Sequence, residues 1–135
     1  MQARALQNAD IVFWIGPGME QPLTKALATF AADAQSVALD ESAGLVLFDF
    51  DEDGHDGHGT KDKHNDHGIK QHIWLDPFNA QIMLGVIADH LGKADPVNAR
   101  NYQANADVMR QNLVQLQIDI ARQLAPFAES EFLVA

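Results

Sequence analysis

The first forty residues carry hydrophobic positions in two spacings, one extended and one helical. Residues 10–15 form a short apolar, β-branched run closed by a Gly-Pro-Gly turn, which predicts a buried strand after the helix-like residues 1–9. From Glu20 to Ala32 the apolar positions recur at helical spacing, and the one proline lies in the first turn. Residues 36–39 are a second candidate strand, so this part of the chain predicts a βα unit.

A second helical pattern begins at Asp76-Pro77, where an acidic N-cap precedes a proline suited to the first helical position. The apolar residues 71–75 before it predict a strand that ends directly before this helix. Beyond Pro77 the apolar positions share one broad face, and Gly92 predicts the end of the helix.

The longest pattern is a stripe of apolar residues that advances by threes and fours from residue 98 to residue 124. A helix of this length would run roughly 40 Å at about 1.5 Å per residue, which exceeds the diameter of a domain this small. The stripe must therefore pack on something more, and we expect self-association through this face of helix 98–124. Residues 131–135 predict a strand that stops at the last residue, so we expect the chain to be a fragment.

Composition narrows the class of ligand. The formal net charge of −10 argues against nucleic acid, which is held chiefly by lysine and arginine, and favours a cation. The absence of cysteine excludes thiolate metal sites and disulfides. Residues 1–4 run into helix-like sequence without the apolar core of a signal peptide, so either the protein is cytoplasmic or its true start is missing.

Residues 49–67 are the strongest local signal for chemistry. This stretch, DFDEDGHDGHGTKDKHNDH, holds seven acids and four of the six histidines, and it has too few apolar residues to bury a core. Imidazole and carboxylate groups suit zinc, nickel, cobalt or copper, so we expect an accessory metal-gathering loop of modest affinity and poor selectivity. The alternative is a solvated acidic insertion with incidental histidines. The expected ligands are His55, His58, His64 and His67.

His72 is a separate candidate ligand because it lies at the predicted strand end before a helix, where open α/β sheets place ligands. The alternative is a structural or surface histidine. Asp76 is most simply a helix cap, and His90 near a helix end suits the helix dipole better than a metal. The sequence has no Gly-rich phosphate loop, His-Glu-x-x-His pair or Gly-x-Ser-x-Gly elbow, so no catalytic residue is predicted.

Three segments together resemble the zinc-binding periplasmic receptors of ABC-type metal importers, a group that also includes manganese receptors. The first is residues 4–16 followed by Glu20, and the second is the loop leading into Gln-His-Ile-Trp-Leu-Asp-Pro at 71–77. The third is Asp-Pro-Val-Asn-Ala at 95–99 with the leucine-bearing helix beyond it. The likeness covers nearly the whole chain.

The resemblance implies two α/β lobes, each around a parallel β-sheet flanked by helices, joined by one long helix with the metal in the cleft between them. Residues 1–95 would be a partial N-terminal lobe with the loop at 49–67, residues 96–125 the inter-lobe connecting helix, and residues 126–135 the first strand of a missing lobe. The resemblance also implies high-affinity capture of zinc, the transported substrate, in the periplasm. It implies delivery of that zinc to the membrane permease of an ABC transporter, and no enzymatic activity. His72 matches the ligand that follows the loop.

The resemblance also implies ligands that this chain does not contain. In the family one ligand histidine precedes the segment resembling residues 4–16, and another follows the strand resembling residues 132–134. Two other classes remain open: a cytoplasmic His-rich chaperone or store for nickel or zinc, and a metalloenzyme subunit that shares its ligands with another chain.

Overall fold

The computed structural model describes residues 2–47, 72–128 and 130 of the 135-residue chain. They fall into two compact units, Met1–Ile73 and Trp74–Ala135. Parallel strands and helices together confirm the predicted α/β class. Among the described residues, no helix is both long and apolar enough to cross a membrane. The elements are α1 (Gln2–Gln7), β1 (Ile11–Trp14), α2 (Gln21–Phe30), β2 (Gln35–Ala38), α3 (Pro77–Ala94) and α4 (Ala99–Leu124).

The first unit is built on a two-stranded parallel sheet. β1 pairs with β2 so that Ile11 lies opposite Gln35 and Trp14 opposite Ala38. Parallel neighbours need a crossover connection, which α2 supplies, and both predicted strands are confirmed with ends shifted by one residue or so. Leu27 of α2 and Val37 of β2 are buried in this unit.

The turn between β1 and α2 is tied back to the end of the strand. The Glu20 carboxylate accepts a hydrogen bond from the Ile15 backbone N–H at 2.6 Å. Gly16 has a φ of 146°, a conformation that side-chain-bearing residues rarely adopt. A Cβ atom at Gly16 would overlap the carboxylate of Asp40, which is buried beside it. Both the backbone conformation and the lack of space for a Cβ atom therefore require glycine at position 16.

The second unit is an antiparallel pair of helices. Gly92 of α3 lies against Ala99 of α4, while the Arg110 Nε of α4 donates to the Gln81 carbonyl of α3 at 3.3 Å. The long predicted helix is confirmed as α4, the longest helix among the described residues. The buried apolar side chains of this helix pair are Met83 and Ala88 of α3 and Ala106 of α4.

The predicted end of α3 at Gly92 is wrong, because the helix continues to Ala94. A Cβ atom at Gly92 would lie 3.3 Å from the Ala99 Cβ, a spacing tighter than most side-chain contacts. The glycine therefore serves the close approach of two helices and not a helix cap. Its position near the helix end gave the same sequence signal for either role.

The link between α3 and α4 is held by Asp95. Its carboxylate accepts hydrogen bonds from the Asn98 Nδ2 at 2.7 Å and from the Tyr102 hydroxyl at 2.9 Å. These bonds hold the pKa of Asp95 below its ordinary value of 3.8, and the bond to Asp95 raises the pKa of Tyr102. Because the pKa of Asp95 is lower in the folded state, its ionised carboxylate stabilises the fold at pH values above its ordinary pKa. This stabilisation is lost as the pH falls through the folded-state pKa.

Candidate metal-binding site

His72 lies in a turn directly before a buried residue. Its side chain is exposed, and the next residue, Ile73, has only 6% of its surface exposed. Residues Ile73–Leu75 form a single turn of 3-10 helix, and α3 begins two residues later. The candidate ligand therefore stands at the surface, five residues before the start of a long helix.

The predicted strand at 71–75 is wrong over the residues that the structure describes, which are 72–75. A strand that buries one face alternates buried and exposed positions, whereas here only Ile73 is buried. Pro77 disfavours a helical backbone at Asp76, which is extended with a φ of −78° and a ψ of 119°. The short apolar run 73–75 therefore forms a separate 3-10 turn that ends before α3 begins.

The helix start next to His72 is well defined, as predicted. The Asp76 Oδ1 accepts a hydrogen bond from the Phe78 backbone N–H at 2.8 Å, and Pro77 occupies the first helical position. Three residues after the cap, Asn79 has 1% of its surface exposed, and it is the most buried side chain among the described residues. The start of α3, five residues after His72 in the sequence, is thus fixed by a cap and by a buried side chain.

The backbone of His72 is in the left-handed region, with a φ of 62°. Residues other than glycine are uncommon there, although histidine is among those enriched, and such conformations cost about 1–3 kcal/mol where the surroundings enforce them. Backbone strain of this kind is concentrated at binding and catalytic sites. The conformation is therefore an independent reason to treat His72 as a functional residue.

The other predicted ligands cannot be placed against His72. His55, His58, His64 and His67 lie outside the described residues, as does the whole of loop 49–67. Within residues 2–47, 72–128 and 130, no group of three or more histidine, aspartate or glutamate side chains is close enough to hold a metal ion. Zinc sites take three or four protein donors, so these residues supply at most part of one.

Two further carboxylates lie at the carboxyl ends of the strands. Glu20 follows β1 and Asp40 follows β2, and ligands of open α/β sheets bind outside this edge. The Glu20 carboxylate accepts a hydrogen bond from the Ile15 N–H, and Asp40 lies in a 3-10 turn beside Gly16. In the sequence, each of these residues is only an acidic residue within six positions of a strand end. That pattern does not distinguish a structural carboxylate from a metal ligand.

The whole chain matches one protein family. The family model described as "Zinc-uptake complex component A periplasmic" matches residues 1–135. The chain belongs to this family.

Relatives in the zinc-uptake family span more than this chain. The high-affinity zinc uptake system protein ZnuA of Brucella abortus is 33% identical over 98% of the chain and 48% of the relative. The protein of the same name from Paracoccus denitrificans is 32% identical over 98% of the chain and 47% of its own length. The zinc-binding protein AdcA of Streptococcus pyogenes is 24% identical, and 27% of its length is covered. The chain spans about half the length of the first two relatives.

Membership of the zinc-uptake family confirms the resemblance found in the sequence and does not favour a cytoplasmic store of nickel or zinc. The family consists of metal-binding components of zinc transport, and its substrate is zinc. The roles of His72 and of the four loop histidines stay predictions, because no comparison assigns ligands to individual positions.

Proposed function

We propose that this chain forms part of a periplasmic receptor that captures zinc and delivers it to the membrane permease of an ABC transporter. The observation that carries the proposal is the match of the zinc-uptake family model to the full 135 residues. Residues 1–95 would contribute one α/β lobe, 96–125 the connecting helix and 126–135 the first strand of the other lobe. Such a receptor binds and releases its cargo without making or breaking covalent bonds.

We further propose that His72 is a direct zinc ligand whose partner ligands lie outside the described residues. Its side chain is exposed, so that it can reach a metal ion. The left-handed backbone supports the same role because it costs free energy that a purely structural surface residue has no need to store. Release would be favoured by acid, since protons compete with zinc for imidazole.

The loop at 49–67 would gather zinc as an accessory metal-binding segment. In a zinc titration of the 135-residue chain by calorimetry, we expect weak binding that is lost when His55, His58, His64 and His67 are all changed to alanine. The physical reason is that four imidazoles beside seven carboxylates supply the only dense donor set in the sequence.

The control for this titration is His90→Gln, which removes a histidine from α3 and should leave the heat of zinc binding unchanged. Unchanged binding in the four-alanine variant would remove the loop from the proposed function. Loss of binding in His90→Gln as well would point to a general effect on folding, which circular dichroism of the two variants would reveal.

The exposed face of α4 predicts that the isolated chain self-associates. Leu116 and Ile120 have 47% and 39% of their surface exposed, and burying such side chains is favourable at about 25 cal/mol per Å² of apolar surface. We expect a sedimentation coefficient that rises with concentration and a smaller rise in Leu116→Glu. Gln115→Glu, on the polar side of the helix, is the matched control. A stable, monodisperse monomer of the parent chain would contradict this prediction.

A further inference from the structure

Gly85 lies in the interior of α3, where a glycine weakens a helix because it loses more backbone freedom on folding than other residues do. The space that its missing side chain leaves is filled from α4. A Cβ atom at Gly85 would overlap the Nη2 atom of Arg110, so the guanidinium group lies directly against the α3 backbone. Glycine at position 85 therefore forms a notch that seats Arg110.

The other nitrogen atoms of the Arg110 guanidinium are also engaged. Nε donates a hydrogen bond to the Gln81 backbone carbonyl at 3.3 Å, and Nη1 donates to the Asp107 Oδ1 at 2.9 Å. The Gln81 carbonyl is also the acceptor that an α-helix assigns to the Gly85 N–H, so α3 and α4 bond to the same oxygen. Because the guanidinium is a rigid planar fork, these contacts together fix the direction in which it lies.

The ion pair between Arg110 and Asp107 does not itself join the two helices. Both residues belong to α4, three positions apart, and their side chains are 34% and 54% exposed. Exposed pairs of this kind contribute little to stability. The carboxylate instead orients the guanidinium, whose bond to the Gln81 carbonyl connects α4 to α3.

Arg110 meets α3 at the open end of the helix hairpin. At the closed end, the short link between the helices is held by the bonds of Asp95 to Asn98 and Tyr102. Gln81 lies in the second turn of α3, roughly 20 Å along the helix from its end at Ala94 at about 1.5 Å per residue. A hairpin tied only at its link can open locally at the other end, so contacts near Gln81 decide whether this end stays closed.

We propose that Arg110, seated at Gly85, is a clasp that holds the open end of the α3–α4 hairpin and fixes the direction of α4 relative to α3. Under the division of the chain proposed above, on which this consequence rests, the first half of the connecting helix would move as one body with α3. The clasp itself depends on contacts within the hairpin, so it can hold whether or not the chain captures zinc.

The test is backbone amide hydrogen exchange in the 135-residue chain, measured at one protein concentration for all variants. Arg110→Ala should raise the exchange rate of the α3 amides at 82–88 by at least about tenfold, because their protection depends on the two helices staying together. Arg110→Lys should raise this rate to a similar extent, since an ammonium group keeps the charge but lacks the planar fork. Unchanged exchange of the β1 amides would show that the opening is local.

Arg122→Ala is the matched control for loss of an arginine from α4. Arg122 forms the same kind of pair, with its Nη1 at 3.0 Å from the Oδ1 of Asp119, three positions earlier. Its removal should leave the exchange of the α3 amides within about twofold of the parent chain, since the pair lies within one helix. An effect as large as that of Arg110→Ala would mean that any lost arginine on α4 loosens the hairpin, which would overturn the clasp.

Gly85→Ala distinguishes a seat from an incidental glycine. If the glycine is incidental, alanine favours the helix and should slow exchange of the α3 amides by roughly fivefold. If it seats Arg110, Gly85→Ala should speed exchange as Arg110→Ala does, and the double variant should exchange no faster than either single one. Slower exchange in Gly85→Ala, or parent-like exchange in Arg110→Lys, would show that the helices are held without the clasp. These two variants also decide the outcome if Arg110→Ala does not fold.

Discussion

Replacing His72 by alanine in the complete receptor is expected to weaken zinc binding by on the order of 100-fold or more, while the protein stays folded. A near-tetrahedral zinc site uses three or four protein donors, and removing even an indirect partner of a ligand costs about 10–100-fold in affinity. His72 is exposed, so its side chain contributes little packing energy to the unit that carries it. Competition with a chelator of known zinc affinity measures the change.

The backbone of His72 requires a second variant to separate geometry from coordination. With a φ of 62°, alanine at this position is more strained than histidine, whereas asparagine, like histidine, is among the residues enriched in the left-handed region. His72→Asn should therefore keep the turn and still lose zinc affinity to a comparable extent. If His72→Asn binds zinc like the parent, the imidazole is not a ligand and the role of this residue is to shape the turn.

The loop histidines provide the comparison within the same receptor. Changing all four to alanine should lower the number of weakly bound zinc ions and leave the tight site within about tenfold, since the proposal assigns these histidines an accessory role and places them outside the tight site. Equal losses of tight binding in the loop variant and in His72→Ala would mean that the loop completes the site. That result would also favour a store built on the loop over a receptor built on a cleft.

The elements of the fold follow from local patterns where one pattern has one structural meaning. The β-branched run before Gly16 is a strand because it is too short for a helix and is closed by a turn, and the stripe through Leu113 and Leu116 is a helix because its spacing by threes and fours does not fit a strand. Asp76-Pro77 begins α3 as expected, since an acid acceptor and a proline without an N–H satisfy the first helical turn locally. These features depend on neighbours within a few residues.

The features that sequence did not predict depend on contacts far along the chain. Gly92 reads as a helix end, but its role is set by Ala99 on the facing helix. Residues 73–75 are apolar enough for a strand, yet the turn into α3 decides their conformation. The zinc site is the extreme case, because residue types show what could bind a metal, while the distances that make a site arise only when separate segments come together.

The second large effect is expected at Gly16, where alanine should lower the free energy of unfolding by about 3 kcal/mol. The φ of 146° is nearly inaccessible to a residue with a Cβ atom, and the added methyl would displace the buried Asp40 carboxylate. Neither cost can be relieved alone, because rotating the backbone at Gly16 would disturb the bond from the Ile15 N–H to Glu20. Urea unfolding followed by tryptophan fluorescence, to which Trp14 at the end of β1 contributes, measures the loss.

Gly18 is the matched control, since it lies in the same turn and its φ is not in the positive range. Gly18→Ala should change stability by less than about 1 kcal/mol, with stabilisation possible through the unfolded state. A double-mutant cycle with Asp40→Ala then divides the cost at Gly16: if overlap with the carboxylate dominates, Gly16→Ala becomes milder once the carboxylate is gone. If the cost is unchanged, the backbone conformation alone requires glycine, and a Gly16→Ala protein as stable as the parent would refute both accounts.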